Sequence, residues 1–314
     1  MRIFMIGLVL LAGLGAPAAA QEPAPRGRIA LSFDDAPRGQ GPLFSGSRRA
    51  EALLESLRAV NAPPVVFFVK TEGLETEAGR ARIRGYGEAG HLIANHTNSH
   101  TWLSRTDTEA YLADIDLAET RLDGMPNRRP WFRFPYLDEG TPREKRDTVR
   151  AALAERGLRN GYVTVDNYDW YIESLWQRAV RDGRQVDRAA LGAAYIEMLI
   201  GAVEFYDALA VTALGRSPDH VILLHENDLA ALFIGDLIEA LRARGWALIS
   251  PDEAYADPIA AIEPDTLMTR QGQIGALAVE AGIAPSSLTH RAIEEAQIEA
   301  FLEERHVFAA PDRR

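Results

Sequence analysis

Short apolar runs recur along the chain, each closed by polar residues: Arg28–Phe33, Val65–Val69, His91–Ala94, Trp131–Phe134, Tyr162–Val165, Val221–Leu224 and Trp246–Ile249. Their length and their β-branched and aromatic content predict strands, and runs that stay apolar at successive positions predict strands buried on both faces. Between them the spacing turns helical. Leu53, Leu54, Leu57 and Val60 fall on one face of 48–60. Tyr111, Leu112, Ile115, Leu117 and Leu122 do so over 107–122, and Leu232, Ile234, Leu237, Ile238 and Leu241 over 229–244. One strand per helix, repeated, predicts an α/β fold with a parallel sheet, and about seven such units predict a closed or nearly closed barrel.

Three segments stand outside this alternation. Residues 174–216 exceed a simple connection and carry a helical pattern (Leu191, Tyr195, Met198, Leu199, Val203), which predicts a helical insertion. Beyond Tyr255, a tail to residue 314 has helical stretches near Gly272–Glu280 and Ala292–Glu304, expected to pack on the barrel. At the start, Arg2 precedes an apolar run from Ile3 to Leu14, and Ala18-Ala19-Ala20 follows in a small-residue arrangement. That layout predicts a signal peptide over 1–20, a flexible Pro-rich start over 21–27 and an exported mature chain of about 294 residues, periplasmic or extracellular; the alternative is a retained membrane anchor. No later run of about 18 uninterrupted apolar residues predicts a further span. The barrel domain is expected over 28–254 and the helical extension over 255–314.

The formal net charge of -11 argues against a nucleic-acid partner, which would ask for a basic patch. The absence of cysteine removes disulfides and thiolate ligands, so any metal must be held by His, Asp, Glu or water.

The polar residues of interest share one address. Asp34-Asp35 follow the first predicted strand, and His96 and His100 follow the third. Arg133-Phe134-Pro135-Tyr136 ends the fourth, Asp166 to Trp170 the fifth, and His225 the sixth. In parallel α/β barrels the carboxyl ends of the strands carry the active site, so these groups should converge on one rim. A helical turn would bring His96 and His100 to one face. Two imidazoles and one carboxylate suit a divalent metal with positions left for water, and the other carboxylate is a natural general base. His91 and His220 lie at the opposite ends of their strands and are expected to be structural; His290 and His306 have no polar companions.

Together these segments resemble the polysaccharide deacetylases with a NodB homology domain, carbohydrate esterase family 4. The resemblance runs over roughly Arg28 to Ser250 and has five motifs in order: Ser32-Phe33-Asp34-Asp35-Ala36-Pro37, where Ala36 replaces the usual Gly; His96-Thr97-Asn98-Ser99-His100 preceded by Asn95; Arg133-Phe134-Pro135-Tyr136; Asp166-x-x-Asp169-Trp170; and Leu223-Leu224-His225. It implies a distorted (β/α) barrel. It implies Asp34 as general base and Asp35, His96 and His100 as ligands of one divalent metal, zinc first, with cobalt, nickel or manganese compatible. Arg133 would orient Asp34. The Tyr136 backbone N–H would stabilise the oxyanion, with Pro135 beside it. His225 would be the general acid with Asp169 as its partner, and Trp170 would wall the pocket. The implied reaction is removal of acetyl groups from N-acetylated glycans such as chitin-like oligosaccharides or peptidoglycan. An O-acetyl esterase on acetylated xylan or exopolysaccharide, or an inactive glycan-binding protein, are the competing readings. Oligomeric state is left open.

Overall fold

In the computed structural model the described residues are 25–309; the segment read as a signal peptide lies outside them. Along the chain run β1 (Gly27–Ala36), α1 (Gly46–Ala59), β2 (Val66–Val69), α2 (Glu77–Glu88), β3 (Leu92–Asn95), α3 (Thr108–Arg121), β4 (Arg128–Phe132) and α4 (Arg143–Glu155). There follow β5 (Arg159–Asn160), α5 (Asp169–Arg181), α6 (Arg188–Leu214), β6 (Asp219–His225), α7 (Asp228–Ala243) and β7 (Trp246–Leu248). The chain then turns through α8 (Pro251–Ala254), α9 (Gly272–Glu280) and α10 (Glu295–Glu304). The strand order is β5-β4-β3-β2-β1-β6, all parallel, with β7 on the first residues of β1.

The ring is completed by irregular chain. Residues 162–165, expected as the fifth strand, form a single bridge, Val165 to Ile222, and β5 is the two-residue piece before them. The reason lies in the hydrogen bonds. Gly161 N donates to Phe132 O, whereas Thr164 N and Val165 N both donate to Val221 O. The segment thus leaves the β4 edge and crosses to β6 within a few residues, too quickly to run a ladder along either. The barrel is therefore distorted and open-edged at this point.

The core forms where the pattern placed it. Ile29, Phe33, Phe67, Phe68 and Ile93 are fully buried, and Phe67 stacks between Phe33 and Tyr86. Each such side chain contributes about 1.5–3 kcal/mol by leaving water. Helix starts are fixed by side-chain caps: Ser45, Thr76, Asp107, Asp187 and Asn227 each accept from a first-turn backbone N–H, at about 1 kcal/mol apiece. The helices α2 and α4, which have weaker apolar stripes, were not legible from the spacing.

The insertion comprises α5 and α6. By length and composition α6 could cross a membrane, but more than half of its apolar window is buried inside the protein, against α7 and α9. The described part of the tail is tied down by Gln273 N to Val163 O at 2.7 Å, Tyr168 N to Ala292 O at 2.7 Å and Asp187 N to Val307 O at 2.9 Å. Its last helix begins at Glu295, not at Ala292.

Candidate active site

Strand register brings the polar groups together. Asp34, near the end of β1, lies directly opposite His225, the last residue of β6. Asn95 ends β3 opposite Phe132 on β4, so His96 and Arg133 leave neighbouring strands side by side. Asp169 and Trp170 open α5 instead of closing a strand, and a carboxylate there is favoured by the helix N-terminus.

Asp34 is buried and held by Arg133, whose Nη1 donates to Oδ1 at 2.9 Å and to Oδ2 at 3.1 Å. The guanidinium is saturated on every side. Its Nη2 donates to Ser32 Oγ (3.2 Å) and Tyr255 Oη (3.1 Å), its Nε to Gly161 O, and its plane lies 4.1 Å from the Phe68 ring centroid. Gly161 is needed here, because a Cβ would stand 2.5 Å from the Phe68 ring. Burial raises the Asp34 carboxyl above its ordinary value and outweighs the opposing pull of Arg133. A carboxylate so placed is a stronger base than one in water.

Asp35, His96 and His100 present one ligand atom each within 4.8 Å of one another. His96 Nδ1 lies 2.7 Å from Arg133 O, which can only accept, so Nδ1 carries the proton and Nε2 keeps its lone pair. That Nε2 lies 3.8 Å from Asp35 Oδ1, and His100 Nε2 lies 3.1 Å from the same oxygen. Asp35 Oδ1 is buried and accepts no hydrogen bond. Burial depresses both imidazoles to about 4 and keeps them neutral. Burial works against ionising Asp35, but His100, His225 and Arg38 outweigh it and hold the carboxyl below the usual range. Two neutral imidazoles, one carboxylate and an orphaned oxygen aimed at one point fit a divalent cation.

The His-x-x-x-His segment is not helical, contrary to the spacing argument. Thr97 (φ 64°) and His100 (φ 57°) are left-handed, and the loop is shaped by side chains. Asn95 Oδ1 accepts from Thr97 N at 2.7 Å, Thr97 Oγ1 from His100 N at 2.9 Å, and Asp114 from the backbone of Asn98 and Ser99. Ala36 has ordinary backbone angles, and Asp35 before it takes the positive φ (65°).

His225 Nδ1 meets Asp169 Oδ1 at 2.6 Å, and the other Asp169 oxygen accepts from His225 N and Asn227 Nδ2. Burial would lower this imidazole, but Asp169 outweighs it and the net shift is upward. With Nδ1 so engaged, Nε2 is the free nitrogen. Asp166 stands buried beside them, pushed up to about 7 by desolvation.

These groups line one cavity of about 810 Å³ with Tyr136, Trp170, Trp102 and Tyr168. Tyr136 has φ 59° and stacks its ring on Trp102 at 4.1 Å. Pro135 is buried next to it and does not line the cavity. His91 and His220 lie away from it, bound to Val65 N and to Thr164 and Asp207. Sequence reasoning missed Arg38, whose Nη1 pairs with Asp35 Oδ2 at 3.0 Å, and the tail residues Tyr255, Met268, Arg270, Gln271 and Glu295. Arg38, three residues past Asp35, left a local signal. The tail residues reach the site across more than a hundred positions and left none.

Comparison with known proteins agrees with this geometry. Residues 21–161 match the family model of polysaccharide deacetylases, and the chain carries a domain of that family. Chitin deacetylase 2 of Saccharomyces cerevisiae is 33% identical over 86 residues, which cover 26% of this chain and 25% of the yeast protein. Peptidoglycan-N-acetylglucosamine deacetylase of Bacillus cereus is 26% identical over 168 residues, 51% of this chain and 69% of that one. The chain thus spans a quarter of the first relative's length and about two thirds of the second's. Among solved structures, a mutant carbohydrate esterase family 4 pseudoenzyme with restored activity superposes at TM-score 0.50 with 16% identity, covering 73% of this chain and 68% of that one, a likeness of fold.

Proposed function

We propose that the protein is a metal-dependent hydrolase that removes acetyl groups from N-acetylated glycans. The observation that carries this reading is the convergence of Asp35, His96 and His100 beside the Arg133-held Asp34, across from the Asp169–His225 pair. The names of the similar proteins, chitin and peptidoglycan-N-acetylglucosamine deacetylases, point to the same substrate class.

The chain's own groups divide the work. Asp34 takes a proton from the attacking water. Arg133 keeps that carboxylate aimed and lets go of it least when it is charged. The Tyr136 backbone N–H faces the developing oxyanion, with Pro135 fixing the turn. His225 gives a proton from Nε2 to the departing amine, and Asp169 holds the ring and favours its charged form. Trp170 walls the sugar. A divalent cation on Asp35, His96 and His100, zinc first, would supply Lewis-acid polarisation. The presence of an N-terminal targeting layout supports action outside the cytoplasm.

The test is acetate release from an N-acetylglucosamine oligomer and from O-acetylated xylan, with the protein stripped of metal and then restored. Acetate from the N-acetyl oligomer, lost on stripping and regained with zinc, is expected. Acetate from the O-acetyl substrate alone would make the protein an esterase, and binding with no acetate from either would make it a lectin-like relative. Mass spectrometry of the exported protein should find an N-terminus at or near Gln21.

A further inference from the structure

The cavity is walled on one side by the C-terminal extension, and that wall differs chemically from the rest. The cations nearest the catalytic groups are paired: Arg133 with Asp34, Arg38 with Asp35. Two others are not. Arg270, exposed on the extension, lines the cavity with its guanidinium 5.4 Å from the Trp102 ring centroid. Arg105, exposed on the turn after Trp102, sits 4.6 Å from the same ring. Among the described residues neither makes an ion pair, and Glu295, the exposed acid lining this cavity, does not reach Arg270. Lys145 secures the turn by donating to Leu103 O and Thr106 O. Trp102 in turn stacks on Tyr136, whose ring lies 4.5 Å from His100. An aromatic platform thus runs from the candidate metal ligands out to two uncompensated guanidinium groups.

A chain with net charge -11 has carboxylates to spare for neutralising its arginines. Leaving two planar, bidentate donors open at one mouth suits a carboxylate from outside. We propose that this rim selects an acidic glycan. The Trp102–Tyr136 platform carries the apolar face of a sugar, and Arg270, seconded by Arg105, holds a carboxylate on the residue next to the acetylated one. This rests on the deacetylase reading and adds the charge of the substrate to it. The carboxylate belongs to a uronic acid or to a lactyl ether on an amino sugar, two sources with one chemistry.

The experiment compares kcat/KM for acetate release from three oligomers of equal length: neutral N-acetylglucosamine, one carrying uronic acids and one carrying lactyl ethers. Both acidic oligomers, or the one whose carboxylate reaches Arg270, should outperform the neutral one at low salt and lose that advantage at high salt. Arg270→Ala should raise KM on the preferred acidic oligomer roughly tenfold more than on the neutral one, the scale of a charge-assisted hydrogen bond discounted for exposure. Arg270→Lys should recover part of it, and Arg105→Ala should show a smaller effect of the same sign. Equal losses on acidic and neutral substrates, or a wild-type protein indifferent to the carboxylate, would overturn the proposal while leaving the deacetylase reading intact. If no oligomer yields acetate, that reading fails and calorimetry decides the rim separately. Tighter binding of the acidic oligomer, lost in Arg270→Ala, upholds it; equal binding of acidic and neutral oligomers ends it.

Discussion

Residues 27–161 and residues 162–309 each build part of the cavity, and they hold their side chains by different means. In the first part the metal-ligand candidates and the turn at Tyr136 sit on backbone of unfavourable conformation. Asp35, Thr97, His100, Tyr136 and Leu137 all have positive φ, five of the eight non-glycine residues that do among those described. Such conformations cost on the order of 1–3 kcal/mol each and persist when packing and hydrogen bonds over-determine them. In the second part Asp169 stands in the first turn of α5 and His225 at the end of a regular strand, with no positive φ at either. The metal site is thus paid for in strain, and the acid pair follows from ordinary elements. The family model stops at residue 161, where the strained half ends. Asp169, His225 and the extension lie beyond, the region where substrate contacts are free to diverge.

The sharpest way to break this comparison is to remove charge from the strained half. Asp34→Asn should lower activity on amide and ester alike by roughly 100- to 10,000-fold, the usual contribution of a general base, while metal content stays near one equivalent. His100→Ala should instead lose the metal on dialysis, because it deletes one of three protein donors. An Asp34→Asn protein with unchanged amide turnover would remove the base assignment, and a fully metal-loaded His100→Ala would remove the ligand set.

The second half is probed with the leaving group. An amine must be protonated to depart, whereas a phenolate needs this far less. His225→Ala should therefore cut amide hydrolysis about a hundredfold or more and spare a larger share of activity on an aryl acetate. Equal losses on both would recast His225 as a group that shapes the pocket. Asp169→Asn should show the same pattern more weakly, since it leaves the imidazole in place but takes away the carboxylate that raises its pKa.

Much of the strained half was legible in the sequence, and for a physical reason. Asp34-Asp35, His96, His100 and Arg133 sit at the ends of continuous apolar runs, where a parallel barrel gathers its strand ends. What failed was local conformation. The four-residue spacing of His96 and His100 suggested a helix, but Asn95, Thr97 and Asp114 bend that segment into a loop. In the second half the strand expected at 162–165 dissolved because its backbone bonds are split between two neighbours. The tail's share in the site was invisible, since Tyr255 meets Arg133 across 122 positions and Arg270 follows no apolar pattern.

Tyr255 joins the two halves, and its hydroxyl is a finer test of how the base is held. It accepts from Arg133 Nη2 at 3.1 Å and donates to Tyr162 O at 3.1 Å, fully buried among aromatic rings. Tyr255→Phe keeps the ring and removes both bonds. Stability should fall by about 1–2 kcal/mol, because the Arg133 donor and the Tyr162 carbonyl both lose a partner in a dry site. The kinetic signature should be a several-fold lower kcat with KM little changed, as expected for a residue that positions the Arg133–Asp34 pair and does not touch the glycan. A change confined to KM would show instead that the tail acts at this point on substrate.

The smallest effect separates two buried histidines at the base of the barrel, one in each half. His220 has a carboxylate within reach, Asp207 at 3.3 Å, and a hydroxyl, Thr164 at 3.0 Å. His91 has neither; its Nδ1 accepts from Val65 N at 3.2 Å, and burial lowers its pKa to about 4. In the unfolded chain the same imidazole titrates near 6.5. The unfolded state therefore binds a proton as pH falls below about 6.5, and the folded state does not until about 4. The stability that His91 contributes is complete above about 6.5 and is lost progressively as pH falls toward 4, by at most about 3 kcal/mol from linkage. His91→Gln should lose some stability at neutral pH, since the acceptor for Val65 N is replaced imperfectly. Between pH 6.5 and 4 its unfolding free energy should fall less steeply than that of the wild-type protein, measured by denaturant titration at each pH. Parallel curves for the two proteins would show that His91 is protonated in the fold without penalty, which the single acceptor bond at Nδ1 does not allow.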